Sequence, residues 1–266
     1  MPEGHTLHRL ARHLTELFAG QAVRASSPQG RFAESAALID GAVLKGASAY
    51  GKHLFIRFAD RPEAVHVHLG LIGKFTTGPQ PAPAAKGALR LRLETATAYA
   101  DLRGATICEL IPPDDVTRIL GRLGPDPLQR KANPDVVWTK VHRRRTPIGA
   151  VLMDQSVLAG VGNVFRAEAL FAHGISPLRV ANTVTREEFD ALWLTVNIML
   201  RAGRRSGRIV TTKPEHRDRR SGPARAEDAH YVYRRTDLPC RVCGTPIRKA
   251  DLAGRNSYWC PSCQPD

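Results

Sequence analysis

Leu7, Leu10, Leu14, Leu17 and Phe18 fall on one face of a helix spanning residues 5–18, and Gly20 can end it. From about residue 22 to residue 112 the apolar period shortens to two. Residues 53–58, 64–69, 88–94 and 106–111 alternate or carry β-branched side chains, which predicts strands. Leu89-Arg90-Leu91-Arg92-Leu93 is the clearest of them, with one apolar and one cationic face. The proline-rich stretch 78–83 reads as a loop between strands.

After Pro112 the pattern turns helical. Asn133-Pro134 and Thr146-Pro147 each read as an N-cap followed by proline in the first turn. Thr185 to Glu188 forms a capping box ahead of Phe189, Leu192, Val196, Met199 and Leu200. Residues 204–230 are basic and punctuated by glycine and proline, which predicts a mobile loop. Gly124-Pro125-Asp126-Pro127 breaks the chain between the two regimes. The expected fold is α+β. A β-sandwich or flattened barrel with an N-terminal helix fills 1–124, a helical domain fills 125–232, and a small module occupies 233–266.

That module carries two Cys-x-x-Cys pairs, Cys240/Cys243 and Cys260/Cys263, joined by enough chain for a β-hairpin. Two such knuckles let four thiolates meet tetrahedrally around one Zn²⁺, with all positions filled and none open for water, so the ion is structural. Two disulfides or four buried thiols are the alternatives. The start of the chain has no basic segment followed by an apolar stretch, so no export signal is expected. The predicted compartment is the reducing bacterial cytoplasm, at the nucleoid. Cys108 stands outside the set and reads as a buried apolar thiol.

The net charge is +14. Between Arg201 and Lys249 stand fourteen basic and five acidic residues, which supply nine of those positive charges. A concentrated basic stripe beside a zinc hairpin reads as a phosphate-binding face. An anionic membrane surface is disfavoured, since no run reaches the roughly 20 apolar residues of a span and no basic amphipathic helix is evident.

Two short segments carry candidate chemistry. Met1 before Pro2 is of the kind normally removed, which would expose a secondary amine. An α-amine titrates near 8, and the adjoining helix N-terminus disfavours its charged form, so Pro2 would be a nucleophile near neutral pH with Glu3 beside it as proton donor and acceptor. An ordinary N-terminus is the plainer reading of those residues alone. Gly160-Val161-Gly162-Asn163 allows a tight turn, and the backbone amides of the following helix with the Asn163 side chain can cradle an anion. A plain turn is the alternative.

Taken together, Met1-Pro2-Glu3-Gly4, Gly51-Lys52-His53, Leu123 to Leu128, the turn from Gln155 to Arg166 and the terminal finger resemble the formamidopyrimidine-DNA glycosylase and endonuclease VIII family. The resemblance runs in order across nearly the whole chain. It implies a bifunctional enzyme of base excision repair. Pro2 would attack C1′ of a damaged nucleotide, Glu3 would open the sugar and assist elimination, and Lys52 would contact the damaged site. Asn163 and Arg255 would grip phosphates around the everted nucleotide, and Arg255 would serve turnover as well. His68 would contact phosphate, and Leu71 would fill the vacated space in the stack. The helical domain would hold a helix–two-turn–helix.

Two departures matter. Thr6, after His5, stands where the family often has a second acid. Asp101-Leu102-Arg103-Gly104 is short where the formamidopyrimidine branch carries residues that probe the opposite strand, so the chain looks closer to endonuclease VIII, and oxidised pyrimidines are the expected lesions. The expected partner is damaged duplex DNA, with single-stranded or bubble DNA also open, bound by a monomer. A non-catalytic binder of damaged DNA and a zinc-ribbon regulator are the rival readings. The regulator would need a base-reading helix, and none is clear.

Overall fold

The structure is a computed structural model that describes residues 2–265. The chain forms two compact units, which divide between Arg122 and Leu123.

The first unit opens with helix α1 (Gly4–Phe18), which buries Leu7, Ala11, Leu14 and Phe18 at helical spacing, with Leu10 and Leu17 at the flanks. Strands β1 (Arg24–Ser26) and β2 (Leu44–Tyr50) flank helix α2 (Ala33–Ile39). β3 (His53–Phe58), β4 (Ala64–His68), β5 (Lys74–Pro79), β6 (Leu89–Glu94), β7 (Ala98–Arg103) and β8 (Ile107–Ile111) follow, then helix α3 (Pro113–Gly121). They pair antiparallel as two four-stranded sheets, β1-β6-β7-β5 and β2-β3-β4-β8. One core holds the inner residues of both, among them Leu54, Ile56, Val65, Val67, Leu91 and Leu102. α1 is fixed to β2 by Thr15, whose hydroxyl accepts from the Ala47 N–H at 2.8 Å and donates to the Ala11 carbonyl at 2.8 Å.

Two sequence expectations change here. β5 runs into the proline-rich stretch as far as Pro79, which an edge strand tolerates because its outer N–H has no ladder partner to lose. The cationic face expected of β6 is partly internal. Arg92 is buried and grips Asp101 across the β6–β7 pair with two hydrogen bonds of 2.7 and 2.8 Å, and Arg103 adds a third at 2.9 Å. The bond to Asp101 raises the Arg92 pKa against its partial desolvation.

The second unit contains helices α4 (Pro134–His142), α5 (Ile148–Val151), α6 (Asn163–Ala172) and α7 (Arg186–Ser206), and the hairpin β9 (Arg248–Leu252) with β10 (Arg255–Trp259). Asn133 caps α4 by accepting the Asp135 N–H at 2.9 Å, and Thr185 with Glu188 forms the capping box of α7. Thr146 does not cap α5, because Pro147 occupies the cap position and offers no side-chain acceptor. α5, the turns through residues 153–162 and α6 make the helix–two-turn–helix. Gln155 staples it by donating to the Met153 and Val161 carbonyls and accepting the Gly160 N–H. Gly124 lies against this turn so tightly that a Cβ there would stand 2.2 Å from the Val157 carbonyl oxygen.

The segment expected to be mobile is tied down. Arg208 donates to the Ala224 carbonyl, Thr212 to the Asp228 carbonyl, Arg217 to Thr212 and Arg241 to the Glu227 carbonyl. Further along, Glu168 of α6, fully buried, accepts from the N–H groups of Tyr231, Val232 and Tyr233 at 2.8–2.9 Å and from the Thr211 hydroxyl. Polarity hid this order from sequence reasoning, because the organising acceptor lies 43 to 65 residues upstream of its donors.

Replacing Glu168 with Leu leaves three backbone donors without an acceptor and leaves the Thr211 hydroxyl only the Ala229 carbonyl. At roughly 1–3 kcal/mol for each buried unsatisfied group, discounted for relaxation, the expected loss is about 3–5 kcal/mol, read as a fall in the urea midpoint.

Candidate active site and candidate phosphate-binding hairpin

In the first unit Glu3 is the N-cap residue of α1, with extended backbone and full burial, and Pro2, just before it, is half-buried. Removal of Met1 concerns a residue outside those described. His5 is buried one residue into the helix and is held down at about pKa 4, chiefly by that burial. Its Nε2 lies 3.3 Å from the Thr6 hydroxyl, so the position that departs from the family pattern is engaged with its neighbour.

Lys52 occupies the two-residue turn Gly51-Lys52 between β2 and β3, where Gly51 takes a left-handed φ of 56°. On the adjoining strands, His53 pairs across from His68, and Phe55 from His66. His68 accepts the Gly70 N–H on Nδ1 at 3.1 Å, so in the neutral ring its proton sits on Nε2 as a donor. Burial, then the nearby Lys52 charge, lowers its pKa and favours that neutral form.

The loop after His68 is built by glycine. A Cβ on Gly70 would stand 2.0 Å from the Thr106 hydroxyl, and one on Gly73 2.2 Å from the Leu69 carbonyl oxygen. This tight frame pushes Leu71 and Ile72 outward, 56% and 83% exposed. Leu71 was expected to fill the space vacated in the stack. Ile72 was not singled out, although its place beside Leu71 between two glycines was the available signal. Cys108 is buried, and burial pushes its thiol up to about 12, which suits an inert core residue.

In the second unit, Asn163 is the first residue of α6 and is buried, while Arg255 is the exposed first residue of β10. The structure brings their surroundings together. Asn163 donates from Nδ2 to the carbonyl of Asn256, the neighbour of Arg255, at 2.9 Å. Arg166, fully buried one turn along α6, donates to the same carbonyl at 3.0 Å and to Asn163 Oδ1. Those bonds orient the Asn163 amide. Arg166 is therefore a structural residue of the site that sequence reasoning missed.

The cysteines pass the fit for zinc. Their four Sγ atoms all lie within 4.8 Å of one another, with Cys240–Cys263 at 3.9 Å and Cys243–Cys260 at 3.4 Å. A tetrahedral ZnS₄ centre with 2.3 Å bonds has edges of about 3.8 Å, whereas a disulfide needs about 2.05 Å. The disulfide alternative is thereby excluded, and none of the four is paired in a disulfide. The four ligands hold one structural zinc.

A two-sheet unit headed by Pro2 and Glu3, followed by a helix–two-turn–helix closed by a four-cysteine finger, is the architecture of a class of zinc-finger DNA glycosylases. Family models agree. The formamidopyrimidine-DNA glycosylase N-terminal domain matches residues 1–108, its H2TH domain 123–214, and the zinc finger found in FPG and IleRS 237–265. The chain belongs to the formamidopyrimidine-DNA glycosylase and endonuclease VIII family. It is 50% identical to Endonuclease 8 1 of Mycobacterium tuberculosis over 99% of this chain and 100% of that protein. It is 34% identical to the formamidopyrimidine-DNA glycosylase of Symbiobacterium thermophilum over 86% and 76%. These values place it on the endonuclease VIII side. The fold matches that of Lactococcus lactis Fpg, solved with DNA containing an abasic site, with a TM-score of 0.81 at 22% identity, covering 99% of this chain and 100% of that one.

Purified protein is expected to carry one zinc per chain by metal analysis. Cys260→Ala is expected to lose the metal and expose the 240–263 segment to protease, because zinc binding is the finger's folding energy.

Proposed function

We propose that this DNA glycosylase is bifunctional. It removes oxidised bases, pyrimidines foremost, and then cleaves the strand at the abasic sugar. The single observation that carries the reading is the head of α1, where Pro2 precedes a buried Glu3 at a helix N-terminus in a chain that matches endonuclease VIII end to end. With Met1 removed, the amine of Pro2 attacks C1′ and the damaged base departs with its bonding electrons, taking up the proton that the amine gives up; cleavage of the bond from C1′ to the ring oxygen then lets the nitrogen lone pair form the cationic iminium that joins enzyme to sugar. Glu3 gives a proton to the ring oxygen as the sugar opens. Loss of the C2′ proton then drives expulsion of the 3′ phosphate, and a second elimination releases the 5′ phosphate.

The remaining residues take supporting roles in this reading. Lys52 stands near the damaged nucleotide. His68 donates to phosphate through Nε2–H, which its bond from Gly70 supports. Leu71, with Ile72 beside it, fills the gap left by the everted nucleotide. Asn163 and Arg255 hold the flanking phosphates, and Arg255 also aids turnover by fixing the strand. Damaged duplex DNA is the principal substrate, single-stranded and bubble DNA are further candidates, and the protein acts as a monomer in the bacterial cytoplasm. No helix among the described residues is long and apolar enough to cross a membrane.

Borohydride reduction in the presence of abasic-site DNA is expected to yield a covalent adduct. The adduct should fall only partly in Pro2→Gly, which keeps a terminal amine, and vanish when Met1 is retained. Failure of fully processed protein to cross-link would favour a non-catalytic binder.

Arg255→Ala is expected to weaken duplex binding and turnover while leaving zinc content unchanged. The slope of log affinity against log salt should shallow by about 0.9 for the lost phosphate contact. An unchanged slope would remove Arg255 from the phosphate grip.

A further inference from the structure

Outside the residues already given roles, the sheet β2-β3-β4-β8 carries a chain of titratable side chains on its outer face. Glu109 of β8 accepts from Nδ1 of His66 on β4 at 2.8 Å. Nε2 of His66 lies 2.9 Å from Nδ1 of His53 on β3. The His53 and His66 rings stack at 5.1 Å, the His66 and Phe55 rings also at 5.1 Å, and the edge of His68 meets His53 at 5.2 Å. His66 is buried, Glu109 is half-exposed at its far end, and His53 is half-buried beside the Lys52 turn.

The register explains the row. His66 stands directly across from Phe55 and Glu109, and His53 across from His68. The next row, Ala64 and Ile111, is covered by Val116 of α3, so one end of the chain is closed. The groups facing it are Glu109 from β8, His68 from β4, Lys52 from the turn before β3, Tyr50 across from His53 on β2, and Arg57, which lies 5.9 Å over Phe55. A metal does not account for the cluster. Two of the nitrogens are spent on each other, and among the described residues only the cysteines bring three or more such ligands together.

Proton bookkeeping gives the row a direction. A carboxylate only accepts, so Nδ1 of His66 carries a proton. In the neutral ring, Nε2 is then bare, and His53 must donate to it from Nδ1. That leaves Nε2 of His53 as a bare acceptor with no hydrogen bond among the described residues. A proton arriving at that nitrogen lets His53 release its Nδ1 proton to His66. The charge then rests on the His66 imidazolium against Glu109. His53 by itself is a weak base, held at about pKa 4 by burial and by the charges of His66, His68 and Lys52. Passing the proton inward moves it from the site where it is penalised to the site where a carboxylate offsets it.

We propose that Glu109, His66 and His53 form a proton-accepting relay that takes up the proton released from C2′ during strand cleavage, entering at Nε2 of His53 beside Lys52. This rests on the Pro2 iminium reading. The C2′–H bond breaks with its electron pair moving toward the iminium, the C3′–O bond breaks with its pair leaving on the phosphate, and the proton ends on His66. No further reactant is needed. Glu109 and His66 are positioning residues, acting through His53.

The test separates iminium formation from elimination on preformed abasic-site duplex, using borohydride trapping for the first and single-turnover nicking from pH 5 to 9 for the second. In Glu109→Gln, trapping is expected to stay within about twofold, while nicking at neutral pH falls about tenfold or more. The carboxylate that faces the protonated row is then gone, so the acid limb of the nicking profile should move to lower pH. In His53→Gln, nicking should fall in the same way with trapping retained. A rate that falls with the acid limb unmoved would assign Glu109 a packing role and overturn the relay, as would unchanged nicking in His53→Gln. Absence of trapping in the parent protein would instead overturn the Pro2 reading.

Discussion

A bare carboxylate at the centre of a protein is tolerable only when donors saturate its oxygens, and the second unit is organised around one that meets this condition. Glu168 takes three consecutive backbone N–H groups, from Tyr231, Val232 and Tyr233, and the Thr211 hydroxyl. Three successive amides turned toward one carboxylate fix the path of the chain leading into the finger. The apolar partners then follow. Val164, Ala167 and Phe171 of α6 pack with Tyr231, Val232, Ile247 and Tyr258. The finger, too small for a core of its own, borrows one from α6. Gln264 completes the attachment, accepting from the Cys260 N–H and donating to the Ile175 carbonyl.

The first unit meets a comparable constraint on a sheet. Period-two alternation sends Leu54, Ile56, Val65 and Val67 to the shared core and forces His53, Phe55, His66 and His68 onto the opposite face. α3 covers only part of that face. Polar side chains left under partial cover must pair with one another, and the Glu109–His66–His53 chain results. A row that began as a requirement of hydrogen-bond satisfaction thus acquires a direction for protons, because one end is a carboxylate and the other a solvent-reachable nitrogen beside Lys52.

How much of this was legible in the sequence follows from the range over which each signal acts. α1, the capping box of α7, the Asn133 cap and the strands at 53, 64, 89 and 107 were readable, because periodicity and caps are local. The zinc knuckles were readable because chelate spacing is local too. β1, β2, β5, β7 and α2 were not singled out. Gly46, Gly78 and Pro79 interrupt β2 and β5, and long-range pairing overrides those breakers. Arg92 read as solvent-facing because its partner Asp101 becomes visible only once β6 and β7 are in register. At the site, Asn163 and Arg255 were named from motif alone, whereas Arg166, which locks Asn163 to the hairpin, looked like an ordinary helix residue.

That lock bears on how so slight a frame can hold an arginine to useful tolerance. The β9–β10 hairpin turns through Ala253 and Gly254, both at positive φ, 53° and 72°, which suits the twist of a two-residue loop but stores strain at the alanine. Left alone, a two-stranded hairpin is marginal in water. Here its opposite end is tethered by Cys260, and the carbonyl of Asn256, one residue from Arg255, is held by both Asn163 and Arg166. The arginine backbone is therefore bracketed by a turn on one side and by two buried donors on the other, so only its side chain remains to be ordered by a ligand. A planar guanidinium loses less freedom per bond formed when its own backbone is already fixed, so ordering the side chain of such a residue costs less than it would on a free hairpin.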